Sequence, residues 1–208
     1  MFDGLDENQF AELVRQAVRP DGVPQAETER EILLKPLEAS QGIRRAAVLA
    51  PLVRVDGGWR LLFIRRSEEV LDHKGQVAFP GGSWEEEDGS DEQTALRETW
   101  EEIGVAARDV RVLGKMRTFL TGTGYRITPV VGILPWPYTF TLSLSEVASV
   151  FTIPLNWLAD PANHEERPFE RDGQRVQVIY YSLYQGELLW GATARMTHTL
   201  VDRLTRFA

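Results

Sequence analysis

Apolar positions near the start of the chain follow a helical period. Phe10, Leu13 and Val18 recur at spacings close to one or two helical turns. A second stretch, from Glu27 to Leu37, mixes charged residues with a few apolar ones. We therefore predict that residues 1 to about 42 form a helical extension, and the pattern assigns no chemistry to it.

From Arg45 onward the pattern changes to short apolar runs separated by glycine turns, which is typical of strands. The predicted strands are 46–53, 59–64, 110–116, 127–134 and 176–184. A final helix is predicted from about Gly191 to Phe207, where apolar residues again recur on one side. Mixed helices and strands indicate an α/β or α+β fold with a mixed sheet between helices, built as one domain over residues 1–208.

Composition narrows the range of functions. The 208 residues include no cysteine and three histidines, so thiolate chemistry and disulfides are excluded and a metal would bind to oxygen ligands. The net charge of −8 argues against a broad nucleic-acid-binding face. The sequence has neither a signal peptide pattern nor a membrane-spanning run. We expect a cytoplasmic protein with a small-molecule substrate, as a monomer or a homodimer.

One acidic segment stands out from this background. Residues 82–102 carry nine acidic side chains and a single base, Arg97. Ser90 is a suitable N-cap and Gly104 a suitable C-terminal stop, so a helix is predicted between them. Three residues at helical spacing are predicted to pack on the sheet as its apolar face: Leu96, Trp100 and Ile103.

Within this helix, Glu98, Glu101 and Glu102 have the spacing i, i+3 and i+4, which places their carboxylates on one side. Like charges at this spacing repel each other, and a hard divalent cation such as Mg²⁺ would compensate them. The alternative is an ordinary solvated helix face. The glycine turn of Phe79 to Gly82, whose backbone can approach a metal or phosphate closely, favours a site.

The run from Gly82 to Val105 resembles the Nudix box, and its second half is present as Arg97 to Val105. Two departures from the family pattern are visible. Thr99 replaces a hydrophobic residue, and the spacer before Arg97 is one residue longer than usual. In the family an acid of this spacer pairs with the arginine, and the longer spacer leaves open whether Asp88, Glu87 or neither does so here.

The resemblance implies an α/β/α sandwich and hydrolysis of a pyrophosphate bond with Mg²⁺ or Mn²⁺ as cofactor. It also implies that Glu98 and Glu102 are the main metal ligands, with Glu101 a further one and the carbonyl of Gly82 another candidate. Arg97 belongs to the same catalytic set.

The stretch before the box resembles the signature of coenzyme A pyrophosphatases. Arg66-Ser67 and Gly75 align with it, whereas Leu71 stands where an arginine is usual. The implied reaction cleaves coenzyme A, or a derivative, into adenosine 3′,5′-bisphosphate and a 4′-phosphopantetheine product. The candidate substrate-binding residues are Arg65, Arg66, Lys74, Gln76, Tyr125 and Arg126, the last two in a predicted flexible loop.

The segment 145–155 resembles a stretch that follows the sheet in many Nudix enzymes, which makes Glu146 a candidate acid near the attacking water. The alternative is a glutamate that simply begins a helix. Two rival functions also stay open: a pyrophosphatase acting on ADP-ribose or another nucleoside diphosphate derivative, and a nucleotide-binding module without turnover. Retention of all three helix carboxylates disfavours the second rival.

Overall fold

The computed structural model describes residues 1–19, 42–70, 73–121, 124–171 and 174–208. Its helices are α1 Glu7–Val18, α2 Asp91–Ile103, α3 Leu155–Ala159 and α4 Gly191–Phe207, with 3₁₀ turns at Ala107–Asp109 and Pro161–Asn163. Its strands are β1 Arg44–Val55, β2 Gly58–Arg66, β3 Val77–Ala78, β4 Gly81–Ser83, β5 Arg111–Lys115, β6 Phe119–Leu120, β7 Tyr125–Ile133, β8 Val147–Pro154, β9 His164–Arg171 and β10 Gln174–Tyr181.

Eight of these strands form one mixed sheet. Its main path runs β3-β2-β1-β7-β5, while β4 pairs with β1, β6 with β7 and β8 with β2. The central pair, β1 with β7, is parallel, and the other pairs are antiparallel. Strands β9 and β10 form a separate antiparallel ribbon. The predicted mixed sheet is confirmed.

Alternation along β1 divides its side chains between two cores on opposite faces of the sheet. The residues of one face meet the core that includes α1, α3 and α4, and they are Val48, Ala50 and Leu52. The residues of the other face meet the core that includes α2, and they are Ala47, Leu49 and Val53. Helices thus cover both faces, which confirms the predicted α/β/α sandwich.

Helix α1 packs into the larger of the two cores. Asp6 caps its start by accepting the N–H groups of Asn8 and Gln9 at 2.9 Å each. The ring of Phe10 stacks on Trp59 of β2 with a centroid distance of 3.9 Å. Helix α1 lies in the first part of the predicted N-terminal helical stretch, whereas the second part, from Glu27 to Leu37, lies outside the described residues.

Three local predictions are corrected. The segment 145–155 belongs to the sheet itself, because β8 pairs with β2 along most of its length. Strand β10 ends at Tyr181 and not at residue 184, because Tyr181 pairs with His164, the first residue of its partner β9. Strand β7 begins at Tyr125, so Tyr125 and Arg126 belong to a strand and not to a loop.

Leu71, which departs from the coenzyme A pyrophosphatase signature, lies outside the described residues. In the described part of the chain, no helix is long and apolar enough to cross a membrane.

Candidate active site

Helix α2 begins and ends where its sequence predicts. The Ser90 hydroxyl accepts the N–H of Gln93 at 3.2 Å, and Gly104 ends the helix with a left-handed φ of 73°. A side chain at position 104 would lie 2.9 Å from Thr141, so glycine is required there for space as well as for conformation. These two residues fix where the helix begins and ends.

The buried face of α2 differs from the predicted one. Ala95, Thr99 and Ile103 face the core, whereas Trp100 is 57% exposed. Thr99 can be buried because its hydroxyl donates to the Ala95 carbonyl at 2.6 Å, which leaves no unpaired polar hydrogen in the apolar contact. The prediction that Trp100 packs on the sheet was wrong, and Leu96 is only partly buried.

The three helix glutamates have different environments. Glu102 is 2% exposed and accepts the Gly81 N–H at 2.9 Å. Glu98 is mostly covered, and its carboxylate lies against Gly82, where an added Cβ would come within 2.5 Å of it. Glu101 is half exposed. Gly82 therefore makes room for the Glu98 carboxylate, and Gly81 supplies a backbone N–H to Glu102.

Arg97 pairs with Asp88, which answers the question left open by the longer spacer. Its Nε donates to Asp88 Oδ1 at 3.1 Å and its Nη2 to Asp88 Oδ2 at 2.9 Å, a bidentate arrangement. Arg97 also donates to the Ser83 carbonyl at 3.0 Å. The hydrogen bonds from Arg97 lower the pKa of the buried Asp88 to about 2 and raise the pKa of Arg97.

The same guanidinium connects the spacer to the helix carboxylates. Its Nη1 donates to Glu98 at 3.1 Å and to Glu101 at 3.0 Å. Within the described ranges, no three histidine or acidic side chains are already arranged around one point as metal ligands. The contacts of Arg97 account for this, because they hold Glu98 and Glu101 toward the arginine.

Two carboxylates of the site, Glu102 and Glu98, have a raised pKa. Burial raises the pKa of Glu102 to about 8, and the nearby Glu98 and Glu146 add to the increase, although Gly81 and Arg66 oppose it. Burial also raises the pKa of Glu98, with contributions from Glu101 and Glu146. Glu146 therefore lies close enough to Glu98 and Glu102 to disfavour the ionised form of both.

Glu146 reaches this cluster from a turn. It is exposed, immediately precedes β8, and its carbonyl accepts the Ser67 N–H at 2.8 Å. The alternative interpretation, in which Glu146 starts a helix, was wrong, because a strand follows it.

A hard divalent cation fits this set of residues. The donors are carboxylate oxygens, one of them buried without full charge compensation, and a glycine backbone lies against them. A cation bound there would stabilise the ionised form of Glu102, which burial alone disfavours. Glu98, Glu101 and Glu102 are the residues that would hold it.

The adjacent residues Arg65 and Arg66 point to opposite faces of β2. Arg66 Nη1 lies 3.6 Å from Glu102 Oε1, on the side of the carboxylates. Arg65 Nη1 lies 3.3 Å from Glu187 Oε1 in the turn after β10. Of these two arginines, Arg66 contacts the acidic cluster and Arg65 contacts Glu187.

The other expected substrate-binding residues have contacts of their own or are exposed. Lys74 is exposed, and the Gln76 side chain is held by His73 Nδ1 at 2.9 Å. The Arg44 guanidinium lies 4.0 Å from the ring centre of Tyr125, and Arg126 is exposed. The structure does not bring these side chains into contact with the carboxylates.

The backbone contacts of Gly81 and Ser83 are the part of the site that the sequence did not identify in advance. The Gly81 N–H and the Ser83 carbonyl bind Glu102 and Arg97, respectively. Ser67 was recognised in a motif, but no contact was assigned to it. The glycine pair was the available signal for close backbone approach, although it does not tell which side chain approaches.

Comparison with known proteins agrees with this geometry. Residues 43–170 match the sequence model of the NUDIX domain. An uncharacterised Nudix hydrolase NudL of Photorhabdus laumondii is 37% identical over 81% of this chain and 89% of its own length. The corresponding protein of Yersinia pestis is 38% identical over 78% of this chain and 80% of its own length.

Among solved structures, a MutT/nudix family protein from Enterococcus faecalis superposes with a TM-score of 0.53 at 16% identity, covering 97% of this chain and 75% of that one. This similarity concerns the fold. Since the matched domain spans more than half of the chain and the relatives are identical at more than a third of the aligned positions, the chain belongs to the Nudix hydrolase family and is a pyrophosphohydrolase.

Proposed function

We propose that this enzyme hydrolyses the pyrophosphate bond of coenzyme A or a coenzyme A derivative, giving adenosine 3′,5′-bisphosphate and a 4′-phosphopantetheine product. The observation that carries the reaction class is the group of carboxylates from Glu98, Glu102 and Glu146 beside the Gly81-Gly82 backbone. The substrate rests on the signature that runs from Arg66 to Gly82.

In this proposal the helix carboxylates bind Mg²⁺ or Mn²⁺. When bound, the ion would supply Lewis-acid stabilisation of the pyrophosphate and orientation of the reacting water. Glu98 and Glu102 would be the main ligands, and Glu101 a further one. The Gly82 carbonyl is a further ligand candidate, since this residue lies directly against Glu98.

Glu146 takes the proton of the attacking water. Its carboxylate is exposed, lies within electrostatic range of Glu98 and Glu102, and is carried by a turn anchored to Ser67. Water oxygen bonds to one phosphorus, the bridging oxygen leaves with the other phosphorus, and the proton passes to the carboxylate.

Arg97 keeps the catalytic end of α2 in place. Its two hydrogen bonds to Asp88 and its bond to the Ser83 carbonyl join the spacer to the helix. Because the same guanidinium contacts Glu98 and Glu101, it fixes two carboxylates relative to the backbone of β4.

Substrate recognition is assigned to cationic and aromatic residues around the cluster. Lys74 and Arg126 are exposed cations available to phosphates, and Gln76 and Tyr125 offer a polar and an aromatic contact. Arg65 can serve in the same way if it exchanges Glu187 for a substrate phosphate.

The testing experiment measures product formation from coenzyme A, ADP-ribose and diadenosine polyphosphates with Mg²⁺ or Mn²⁺, each repeated with EDTA. We expect metal-dependent release of adenosine 3′,5′-bisphosphate from coenzyme A. Preference for ADP-ribose would support the first rival function and overturn the substrate assignment. Absence of turnover with every compound would favour a nucleotide-binding module.

A further inference from the structure

The Arg66-Ser67 dipeptide at the end of β2 contacts two parts of the acidic cluster. Side chains of even number in this part of the strand, Leu62 and Ile64, face the core that includes α2, and Arg66 continues that row. Arg65 points to the other face, toward Glu187. These two neighbouring arginines, which the sequence alone does not distinguish, therefore have different surroundings.

The Arg66 guanidinium lies beside Glu102, the most buried carboxylate of the cluster. Its Nη1 is 3.6 Å from Glu102 Oε1, and Glu102 is held from another direction by the Gly81 N–H. Arg66 Nε is buried and has no hydrogen-bond partner in the part of the chain that the structure describes. Its backbone N–H donates to the Gln76 carbonyl at 3.0 Å, which fixes the strand end.

This orientation is unsuited to reading a substrate phosphate. Bidentate recognition of a phosphate uses two N–H groups along one edge of the guanidinium. The buried Nε closes one such edge, and Nη1 faces Glu102.

Ser67 fixes the turn that carries Glu146. It is buried, and its N–H donates to the Glu146 carbonyl at 2.8 Å. Its hydroxyl accepts the Glu69 N–H at 3.2 Å, and its carbonyl accepts the Gly75 N–H at 3.4 Å. The loop on one side of the site and the Glu146 turn on the other are thus joined through this one residue.

A β-bulge lies at the same position. Arg65 pairs with Ser149 and Arg66 with Val147, so Ala148 has no partner of its own in β2. Bulges change the direction of a strand and of the side chains next to it. Here the bulge turns Val147 toward the core of α2 and brings the preceding residue, Glu146, to the edge of the carboxylate cluster.

We propose that Arg66-Ser67 positions the catalytic carboxylates, with Arg66 orienting Glu102 and Ser67 orienting Glu146, and does not recognise the 3′-phosphate of coenzyme A. The inference rests on the proposed function only in placing the metal at the Glu98 and Glu102 carboxylates. It requires no particular nucleotide as substrate.

The first test compares Arg66→Gln and Arg66→Lys with the wild type on coenzyme A and on coenzyme A that lacks the 3′-phosphate. We expect kcat of Arg66→Gln to fall about 10- to 100-fold on both substrates, as is usual when a residue that orients a metal ligand is lost. The ratio of kcat/KM between the two substrates should stay unchanged. Arg66→Lys should recover part of kcat because it keeps the charge beside Glu102.

The matched control is Arg108→Gln, which removes one positive charge from a side chain that is 87% exposed on the 3₁₀ turn after α2. It should leave kcat and the substrate ratio at their wild-type values. A collapse of the substrate ratio in Arg66→Gln, with kcat on the 3′-dephosphorylated substrate unchanged, would identify Arg66 as a phosphate-recognising residue and overturn the proposal.

The second test needs no turnover and separates this inference from the proposed function. Mn²⁺ binding is measured by electron paramagnetic resonance for the wild type, Arg66→Lys, Arg66→Gln and Arg108→Gln. We expect Arg66→Gln to weaken Mn²⁺ binding about 10-fold or more, Arg66→Lys to weaken it less, and Arg108→Gln to leave it unchanged. Equal Mn²⁺ affinity in all four proteins would overturn the proposal even if coenzyme A proves to be the substrate.

Discussion

Glu102 is the residue in which burial and function conflict most clearly. A carboxylate with 2% exposure, two neighbouring acids and a backbone N–H as its closest donor is costly to ionise in the metal-free protein. Such a residue is retained at active sites when a ligand stabilises its charged form. Its environment therefore supports the assigned role as a metal ligand.

Replacing Glu102 tests that role directly. Glu102→Gln keeps the size of the side chain but removes the charge, so we expect kcat to fall at least about 100-fold at saturating Mg²⁺. The matched control is Glu92→Gln, in the exposed first turn of the same helix. Wild-type turnover by Glu102→Gln at saturating metal would remove Glu102 from the list of ligands.

The raised pKa of Glu102 predicts how stability depends on pH. Between its ordinary pKa of 4.5 and its folded pKa of about 8, the folded protein keeps a proton that the unfolded chain has released. The metal-free protein should therefore lose stability as pH rises through this window, and below it Glu102 makes no difference.

Divalent metal acts in the opposite direction, because it binds the ionised carboxylate. We expect the increase in Tm caused by Mg²⁺ or Mn²⁺, relative to EDTA, to grow from pH 5 to pH 8. Differential scanning calorimetry measures both effects. Glu102→Gln should lose most of the pH dependence, and a metal effect independent of pH would contradict the assignment.

Asp88 supports a second prediction at the residue scale. Asp88→Asn removes the bidentate charge pair with Arg97, and we expect unfolding free energy to decrease by about 2–3 kcal/mol at pH 7. The lowered pKa means that the wild-type contribution is lost only as pH falls from 3.8 toward 2. Denaturant unfolding measures the difference.

Glu87→Gln is the control for Asp88→Asn, since it removes an equal charge from the adjacent exposed position. A similar loss of stability in both variants would show that net charge, and not the pair with Arg97, is responsible. The comparison also tests the choice between Asp88 and Glu87, which the sequence left open.

At the scale of the helix, α2 shows the limit of predicting a buried face from hydrophobic periodicity alone. Leu96, Trp100 and Ile103 satisfy a helical spacing, and so do Ala95, Thr99 and Ile103. Side-chain size favoured the first set. The structure adopts the second because Glu102 must reach the Gly81 N–H and Glu98 must lie against Gly82, contacts between residues far apart in sequence.

This register predicts unequal effects for two large side chains. Ile103→Ala should reduce the unfolding free energy by about 2–5 kcal/mol, because Ile103 is fully buried. Trp100→Ala should change it by less than about 0.5 kcal/mol, as expected for an exposed position. Denaturant titration of both variants measures the two free energies. A larger decrease for Trp100→Ala than for Ile103→Ala would support the buried face that was predicted from the sequence.

The sheet was predicted in outline, and its short or polar strands were not. Long apolar strands such as β1, β2 and β7 are visible in the sequence because they are buried over most of their length. Strand β9 carries charges at most of its positions, and β3 and β4 are only two or three residues long. Their pairing depends on neighbours supplied by other segments.

In the candidate site, side chains within one helix could be predicted from the sequence, whereas contacts between distant segments could not. The helix carboxylates and Arg97 were identifiable because their spacing is fixed within one helix. The contacts of Arg66 with Glu102, and of Ser67 with Glu146, join segments that no local pattern relates. A bulge of one residue in β8 is likewise a property of pairing and not of composition.

At the scale of the whole molecule, the larger core and the candidate site lie on opposite faces of the sheet. The core with α1, α3 and α4 lies on one face of the sheet, and α2 with its carboxylates covers the other. Phe10→Ala should therefore reduce the unfolding free energy by about 3–5 kcal/mol, since Phe10 is fully buried against Trp59. The kcat of the folded fraction should stay near the wild-type value.

Denaturant unfolding and active-site-normalised kinetics measure these two quantities for Phe10→Ala. Leu144→Ala, at a side chain that is 73% exposed, is the control and should leave stability unchanged. A fall in kcat of the folded Phe10→Ala protein as large as the fall for Glu102→Gln would show that the two faces are coupled.

The contact between α1 and α4 has a consequence for synthesis on the ribosome. Helix α1 is made early, but its partner α4 begins only at Gly191, and the parallel strand beside β1 begins only at Tyr125. A nascent chain stopped before residue 191 therefore leaves the apolar side of α1 and the sheet open to solvent. We expect such stalled chains to bind chaperones more strongly than chains that include α4, and co-purification of chaperones with nascent chains of the two lengths measures the difference.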